Sequence, residues 1–351
     1  MALSTCPSPA EIREARVEHN KLRERDLADQ LKISEAQLLA AHVGQGVSRI
    51  SAHPDQIMGL VPTLGEVMAL TRNISCVNER VGAYSNYRSG PHASMVLAEE
   101  IDLRIFPSHW VSAFAVEKET DIGVRRSLQV FDAAGDAVHK IYLRETSNIS
   151  AWSGVVEQLA LGDTSQVIEC QPRKPAETPK ADVSKLDILR KEWAGMTDTH
   201  QFMRLTSKLK MNRLGAYRIV GAPYVRPLAP AAINQMLLGV AATDMEVMVF
   251  VGNKGCIQIH GGPIETLKPM GPWQNVLDPR FNLHLRLDHV AEVWAVDKPT
   301  QRGPAISVEA FDKDGALIFQ VFGRRTETRD SRPQWGALVE SLETLEEGGA
   351  S

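Results

Sequence analysis

The sequence has no apolar run long enough to cross a membrane. None of its stretches approaches the ~18 consecutive apolar residues that a transmembrane helix needs, and the amino-terminal segment reaches Glu11 and Arg13 before any run of signal-peptide length. We therefore expect a cytoplasmic protein without stable membrane insertion.

Cysteine is scarce, and its spacing forms no motif. Cys6, Cys76, Cys170 and Cys256 are far apart, with no CxxC pair and no CxxCH sequence. This spacing argues against a zinc cluster and against a covalently attached cofactor. We interpret the four residues as reduced thiols, as is usual in the cytoplasm.

The charges are balanced rather than biased towards one sign. Lys and Arg number 39 and Asp and Glu 43, which gives a formal net charge of -4. This balance gives no general reason to expect nucleic acid or an anionic membrane as a partner. With 43% hydrophobic and 23% charged residues, the composition is that of an ordinary globular protein, and 351 residues suffice for two domains.

The chain contains an internal repeat. The stretch AFAVEKETDIGVRRSLQVFDAAGDAVHKIYLRET, from Ala113, matches VWAVDKPTQRGPAISVEAFDKDGALIFQVFGRRTE, which starts 180 positions later at Val293, without a gap. The matched pairs include Phe131 and Phe311, Gly135 and Gly315, and Lys118 and Lys298. Shared residues of this kind are more often core or turn residues than functional ones.

Two further matches extend the repeat. WSGVVEQL from Trp152 resembles WGALVESL from Trp335, and the apolar spacing of each predicts an amphipathic helix at the end of its copy. VNERVGAYSNY from Val77 resembles VFVGNKGCIQIH from Val249 more weakly.

The segment between the copies is rich in proline and charge. CQPRKPAETPKADVSK contains Pro172, Pro175 and Pro179, a composition that favours an extended linker over a packed element. The sequence therefore predicts an N-terminal repeat over residues 1–165, a linker over 166–186 and a C-terminal repeat over 187–351.

Each copy begins with helical patterns and continues with strands. In the second copy the predicted strands are VMVFVG, GCIQIH, FNLHLRL, AEVWAV, AISVEAF and ALIFQVF, with FDKDG as a hairpin turn between the last two. Helices followed by runs of strands indicate an α+β fold with antiparallel sheets. We expect a tandem structural repeat in which each copy closes with a C-terminal helix.

One histidine is present in only one copy. His200, in TDTHQF, has no counterpart in the first copy, where Glu24 and its neighbours fall at the matched position. Thr197, Asp198 or Thr199 could cap a helix with His200 in its first turn. From these residues alone, a surface or partly buried histidine is the default interpretation. The remaining histidines show no metal-ligand spacing and are interpreted as structural or exposed.

The first copy offers a different functional hypothesis. RERDLADQLKISEAQLLAAHVG follows a helix-turn-helix pattern, which in some proteins binds DNA. Its acidic residues balance its basic ones, so it offers little attraction to phosphates, and its position is explained by the repeat. The sequence therefore disfavours nucleic acid as a partner.

Several long strings resemble one known family. TDTHQF, GNKGCIQIHGGP, MGPWQNVLDPRFNLHLR and FGRR in the second copy, with EEIDLRIF in the first, closely resemble the HemS and HmuS family of bacterial haem-handling proteins. The resemblance extends from about residue 12 to about residue 345. It implies a cytoplasmic protein of haem uptake and iron acquisition that binds haem b non-covalently.

The resemblance also implies which residues meet the haem. His200 matches the proximal iron ligand, and an imidazole suits haem iron. Arg104 matches an arginine on the distal face, where a guanidinium can hydrogen-bond an iron-bound ligand. Phe106 would give an apolar wall beside the porphyrin.

The propionate side of the haem is implied in the same way. Arg213, Lys298 and Arg325 match basic positions there, with Gln320 alongside. Phe322 stands where some relatives carry tyrosine, so one polar contact at the haem edge is replaced by an apolar one.

Two functions remain open within this resemblance. As a carrier, the protein would accept haem from an inner-membrane transporter and pass it to a downstream haem oxygenase. As an enzyme, it would open the porphyrin ring itself and release the iron. The sequence does not decide between them, nor between a monomer and a homodimer.

Overall fold

The structure, a computed structural model, describes residues 6–121 and 123–345. The described residues divide into two units. The first unit contains the residues up to Arg72, together with Asn78–Lys174 and Gly252–Gln258. The second unit contains Asn73–Val77, Pro175–Val251 and the residues from Ile259 onward. The main boundary falls inside the predicted linker, and each unit also includes a short segment from the other copy.

The first unit combines helices with antiparallel strands. Its helices are α1 (Pro9–Glu18), α2 (Glu24–Leu31), α3 (Glu35–Ala40), α4 (Pro54–Leu60) and α5 (Trp152–Leu159). Its strands are β1 (Val47–Ile50), β2 (Gly65–Arg72), β3 (Cys76–Ala83), β4 (Tyr87–Arg88), β5 (Ser94–Leu97), β6 (Asp102–Ile105), β7 (Ser112–Thr120), β8 (Gly123–Phe131) and β9 (Ala137–Ser147). The strands follow the order β1-β7-β8-β9-β2-β3, and β4, β5 and β6 are neighbours in that order.

The second unit repeats this arrangement. Its helices are α6 (Leu186–Ala194), α7 (Gln201–Lys208), α8 (Arg213–Val220), α9 (Ala232–Ala241) and α10 (Arg332–Ser341). Its strands are β10 (Val225–Leu228), β11 (Val247–Gly252), β12 (Cys256–Gly262), β13 (Leu267–Met270), β14 (Trp273–Asp278), β15 (Phe281–Arg286), β16 (Glu292–Lys298), β17 (Ala305–Phe311) and β18 (Leu317–Gly323). The strand order β10-β16-β17-β18-β11-β12, with β13, β14 and β15 as neighbours, matches that of the first unit.

The predicted α+β tandem repeat is confirmed, including the helix that closes each copy. All six strands predicted for the second copy are present, whereas β10, β13 and β14 were not predicted. Pro227 in β10 and Pro269 in β13 explain part of that omission, because proline within a run argues against a strand. None of the helices in the described ranges is long and apolar enough to span a membrane.

The hairpin turn between the last two strands is built in the same way in both copies. Asp312 Oδ1 accepts hydrogen bonds from the backbone N–H of Asp314 and Ala316, and Gly315 has a φ of +83°. Asp132 does the same in the first copy, 180 positions earlier. An aspartate that closes its own turn and a glycine in the left-handed region are the residues that this turn requires.

The weaker match, between VNERVGAYSNY and VFVGNKGCIQIH, is corrected by the structure. Asn73 Oδ1 accepts from the N–H of Cys76, and Asn253 Oδ1 accepts from the N–H of Cys256. These asparagines precede β3 and β12, so the two strands align at their cysteines and not at the valines that the sequence comparison paired. The side-chain contact that fixes each strand start is a local signal that hydrophobic pattern alone does not contain.

The linker is extended but not loose. Residues 161–182 form no helix or strand, whereas Val183–Lys185 forms a short 3-10 helix and α6 begins at Leu186, inside the segment predicted as linker over 166–186. Its first part binds the first unit, since the N–H of Gln171 donates to Ala133 O at 2.7 Å and Arg173 pairs with Asp136. Its last part binds the second unit, since the N–H of Lys180 donates to the side chain of Asn212.

The six-stranded array of the second unit has an apolar cluster on each face. Alternation along β17 points Val308 and Ala310 towards the cluster that contains Trp335 of α10. Phe311, on the opposite side of that strand, belongs to the cluster that α6, α7 and α8 form. The candidate site lies on this second face.

Candidate functional site

His200 lies directly before α7. Asp198, one of the three predicted caps, accepts a hydrogen bond from the backbone N–H of His200, but His200 itself occupies the N-cap position of α7, and no side chain caps the helix there. Gln201 contacts Thr197 instead, with 2.9 Å between Thr197 N and Gln201 Oε1. His200 is consequently one residue outside the first turn, and its side chain is 91% exposed.

Asp198 orients the His200 ring. One carboxylate oxygen lies 2.7 Å from the backbone N of His200 and 2.6 Å from its Nδ1. The backbone hydrogen bond and then the ring contact lower the pKa of Asp198. An ionised carboxylate at Nδ1 favours the tautomer with its proton on that atom, so the lone pair is on Nε2. In the described ranges Nε2 has no hydrogen-bond partner, and it faces solvent with the rest of the ring.

A buried carboxylate binds two of the predicted cations. Glu309 of β17 accepts from Arg213 Nη1 at 2.8 Å and from Tyr217 Oη at 2.9 Å through one oxygen. Its other oxygen accepts from Lys298 Nζ at 2.8 Å and from Ser307 Oγ at 2.9 Å. We call these five residues the Glu309 cluster.

The Glu309 cluster has an excess of positive charge. Burial alone would raise the pKa of Glu309, but Lys298 and Arg213 outweigh it and bring the pKa to about 2. Burial lowers the pKa of Lys298 to about 8, against the attraction of Glu309. At neutral pH the cluster therefore contains two cations and one anion, and the half-buried Arg213 can attract a further anionic group.

The cluster contacts the start of α7. The ring of Phe202 lies 5.0 Å from Lys298 Nζ and 5.6 Å from the guanidinium carbon of Arg213. Arg213 Nη2 also lies 3.6 Å from the sulfur of Met203. Phe202 and Met203 follow His200 by two and three residues, so the first turn of α7 packs directly on the cluster.

Gln320 and Phe322 share the cluster's face of the sheet. In the antiparallel register Gln320 pairs with Glu309, and Phe322 pairs with Ser307. Phe322 packs edge-on against Phe250, with 5.3 Å between ring centroids. Both Gln320 and Phe322 are partly exposed, so a polar and an apolar side chain border the cluster.

Arg325 is not part of this cluster. It lies past the end of β18, its side chain is 52% exposed, and its Nε is 4.0 Å from an oxygen of Asp330. The structure therefore brings four of the predicted second-copy residues to one face of the sheet: Arg213, Lys298, Gln320 and Phe322.

Arg104 and Phe106 are positioned by β6 of the first unit. Arg104 forms an ion pair with Asp102, two residues away on the same face of the strand, and is partly exposed. Phe106 is half-buried, and its backbone N–H donates to Gly255 O at 2.9 Å. The aspartate limits the directions in which the Arg104 guanidinium can point.

Sequence reasoning missed Glu309 and Tyr217. The comparison of the two copies could have found Glu309, because it is the only charged residue in the strand AISVEAF and stands where the first copy has Gln129. Tyr217 gave no such signal, since an aromatic residue in a helix is usually part of the core.

The helix-turn-helix segment has no exposed recognition surface. Glu35, Ala36, Leu38, Leu39 and Ala40 of α3 are all buried. A recognition helix has to place side chains in the DNA major groove, so α3 could do so only by leaving its own core. The structure gives no support for DNA binding by this segment.

Comparisons with known proteins agree over most of the chain. A family model described as the haemin-degrading HemS/ChuX domain matches residues 32–159 and 210–342. The hemin transport protein HmuS of Yersinia pestis is 38% identical over 332 residues, which cover 94% of this chain and 95% of HmuS.

Solved structures extend the likeness to three dimensions. That of holo-PhuS, a heme-binding protein from Pseudomonas aeruginosa, has a TM-score of 0.91 at 40% identity and covers 97% of this chain and 100% of PhuS. That of ChuS, described as an E. coli heme oxygenase, has a TM-score of 0.83 at 32% identity and covers 94% and 99% of the two chains.

Proposed function

This chain belongs to the family of haemin-degrading HemS/ChuX domains, and from that premise we propose that it binds haem through His200. The observation that carries the proposal is the state of the His200 ring. Its Nδ1 is held by Asp198 at 2.6 Å, and its exposed Nε2 has the lone pair that an iron ligand needs. Haem iron bound there would be the centre of any redox chemistry.

The residues around the Glu309 cluster suit the rest of a haem. Arg213 and Lys298 supply positive charge for the propionates, and Gln320 can donate a hydrogen bond beside them. Phe322 offers an apolar edge to the porphyrin. Arg325, exposed and only weakly paired, is a further candidate for a propionate.

The proposed roles in the first unit are those of a distal face. Arg104, oriented by Asp102, would contact a ligand on the iron side opposite His200, and Phe106 would pack against the porphyrin. These roles rest on the match of EEIDLRIF to the family, together with the partial exposure of both side chains.

We favour a carrier in the cytoplasm that accepts haem from an inner-membrane transporter and hands it to a haem oxygenase. A ligand on an exposed helix end leaves the haem within reach of a partner. The names of HmuS, a hemin transport protein, and PhuS, a heme-binding protein, support this choice. The likeness to ChuS supports a second candidate function, in which the chain itself degrades haem.

The first test is an anaerobic haem titration of the wild type, of His200→Ala and of His53→Ala. His53 is also an exposed histidine and serves as the matched control. We expect a 1:1 complex for the wild type and the control. His200→Ala should bind at least about 100-fold more weakly, or about 2.8 kcal/mol, with a shifted Soret band. Unchanged affinity and spectrum in His200→Ala would contradict the ligand assignment.

The two candidate functions differ in the fate of the bound haem. Air, ascorbate and catalase are added to the wild-type complex, and the absorption spectrum is recorded over time. A carrier keeps its Soret band under these conditions. A linear tetrapyrrole that accumulates with catalase present would instead identify a degrading enzyme, because catalase removes the peroxide that could destroy haem without the protein's help.

A further inference from the structure

We infer that Glu309 is a positioning residue for the haem site: from inside the second unit it fixes Arg213 and Lys298, and with them the start of α7 that carries His200. This inference rests on the proposed haem binding. It assigns a role to a side chain that cannot itself touch the ligand, because Glu309 is fully buried.

The hydrogen-bonding capacity of Glu309 is filled from within the unit. Each carboxylate oxygen accepts two hydrogen bonds, and the four donors come from α8, β16 and β17. A carboxylate has about four acceptor positions in all. Glu309 therefore fixes the place of the two cations and has no position left for a ligand.

The cations transmit this placement to α7. Both lie against the ring of Phe202, and Arg213 also contacts Met203. Among the residues that the structure describes, the His200 ring hydrogen-bonds only with Asp198, within its own loop. The position of His200 therefore depends on where Phe202 seats the first turn of α7.

The first unit shows that the arrangement is specific to the copy with the histidine. Glu309 is matched there by Gln129, and Arg213 by Glu35, because α3 and α8 occupy the same place in their units. Glu35 is also buried, and it pairs with Lys140 at 2.7 Å and with Arg72. The helix is thus anionic in the first unit and cationic in the second, where a propionate would be attracted.

Glu309→Gln removes the charge with little change of shape. Two buried cations would then lie together without a counter-ion, and the amide can accept at only one of the two positions. The groups that face Lys298 are Glu309, Tyr217 and Arg213, with Asp297 beside it on its own strand. Without the carboxylate, Lys298 loses its proton at a lower pH than in the wild type.

The experiment compares the wild type, Glu309→Gln, Glu309→Asp and Glu35→Gln. Glu35→Gln is the matched control, since it also leaves two cations without their buried carboxylate. Urea unfolding of the haem-free proteins measures stability, and haem titration with absorption and electron paramagnetic resonance spectra measures the site. Titrations between pH 6 and 9 measure the contribution of Lys298, and His200→Ala is included to verify haem binding itself.

We expect both Gln variants to unfold at lower urea concentration than the wild type. Only Glu309→Gln should lose haem affinity, by about tenfold or more, with altered iron spectra. As the pH is raised, its haem affinity should begin to decline about one pH unit below the point at which that of the wild type declines. Glu309→Asp retains the charge and should recover part of the affinity. Glu35→Gln should change haem affinity less than about twofold.

Three results would decide against the inference. Wild-type haem affinity and spectra in Glu309→Gln would overturn it, and so would an equal loss in Glu35→Gln, which would show a general effect of instability. If Glu309→Gln does not fold, Glu309→Asp with unchanged affinity, spectrum and pH profile would overturn it as well. If His200→Ala binds haem as the wild type does, the proposed function itself is wrong.

Discussion

The two units share a fold but bury different chemistry in their cores. In the first unit His139 is fully buried, with its ring nitrogens 2.8 Å from Thr71 Oγ1 and 2.6 Å from Tyr84 Oη. Cys256 lies 3.6 Å from the same threonine oxygen. The centre of the first unit is therefore a hydrogen-bonded polar network.

The second unit has apolar residues at the same positions. Phe319 replaces the histidine, Val251 the threonine and Ile264 the tyrosine, and only the cysteine is retained, as Cys76. All four belong to one apolar cluster. The second unit has a buried polar network of its own at the Glu309 cluster, beside the candidate site.

This difference shows what a single fold leaves open. The hydrophobic alternation and the turns are common to both units and suffice to specify the strands. The polar groups inside are not specified by them, because a hydrogen-bonded network and an apolar cluster can fill the same volume. Function can therefore differ between copies without any change in the order of helices and strands.

Exchanging the matched core residues His139 and Phe319 should have the largest effect on the difference between the two units. Phe319→His would bury an imidazole among apolar side chains with no partner, and we expect a loss of about 3 to 5 kcal/mol in the free energy of unfolding of the second unit. His139→Phe should cost less, about 2 to 3 kcal/mol, because Thr71 and Tyr84 lose one partner each. Urea unfolding with hydrogen exchange resolved by unit measures both. A neutral Phe319→His would show that the second core already holds a hydrogen-bonding group for it.

Acid should destabilise the first unit more than the second. This difference is smaller than the effect of exchanging the central residues. Burial lowers the pKa of His139 from 6.5 to about 3, so the unfolded chain binds a proton that the folded unit excludes. Stability from this residue is complete above pH 6.5 and declines as the pH falls, by about 2 kcal/mol at pH 5. Phe319 contributes no such loss, and Glu309, with a pKa of about 2 against 4.5, contributes one only below about pH 4.5.

Hydrogen exchange of β9 and β18, corrected for intrinsic rates, at pH 7 and pH 5 measures this difference. Protection should decrease in β9 and remain in β18. His139→Phe is the control, because it removes the titrating group from β9. Equal changes in both strands of the wild type would mean that His139 is not what makes the first unit sensitive to acid.

The helix caps give the smallest predicted difference in stability between the two units. Asn212 at the start of α8 accepts from the N–H of Gly215 and of Lys180 and donates to Thr178 O, so it holds both a helix and the linker. Ser34 is the matched cap of α3, and its contact with the linker is a weaker one, between its Oγ and Cys170 Sγ at 3.3 Å. We expect a cost of about 2 kcal/mol for Asn212→Ala and about 1 kcal/mol for Ser34→Ala. Equal costs in urea unfolding would mean that the linker contacts add no stability.

The strands and turns were predictable because their signals are local. Alternating residues in AISVEAF and ALIFQVF and the turn FDKDG specify a hairpin without reference to the rest of the chain. β13 was not predictable, since Pro269 and its exposed residues give no alternating pattern. The start of β12 was predicted to within one residue, but β3 and β12 were misaligned with each other, because the side-chain hydrogen bonds of Asn73 and Asn253 leave no trace in the hydrophobic pattern.

The candidate site was predictable only in part, for a similar reason. His200 was found because it is unique to one copy and matches a family string. Lys298 and Arg213 were expected as cations for a ligand, but the structure shows that they also share a buried carboxylate. Contact between residues 213, 298 and 309 depends on the packing of a helix on a sheet, which neither periodicity nor spacing reveals.

The two attachments of the linker also bear on how the chain can be cut. Arg173 is held at one side and Thr178 and Lys180 at the other, so the exposed residues 174–177 form a short bridge between fixed points. Such a bridge is the natural point of attack for a protease. Pro175 protects the peptide bond after Lys174 from trypsin, so at this end of the bridge trypsin is left with the bond after Arg173, whose side chain is paired with Asp136.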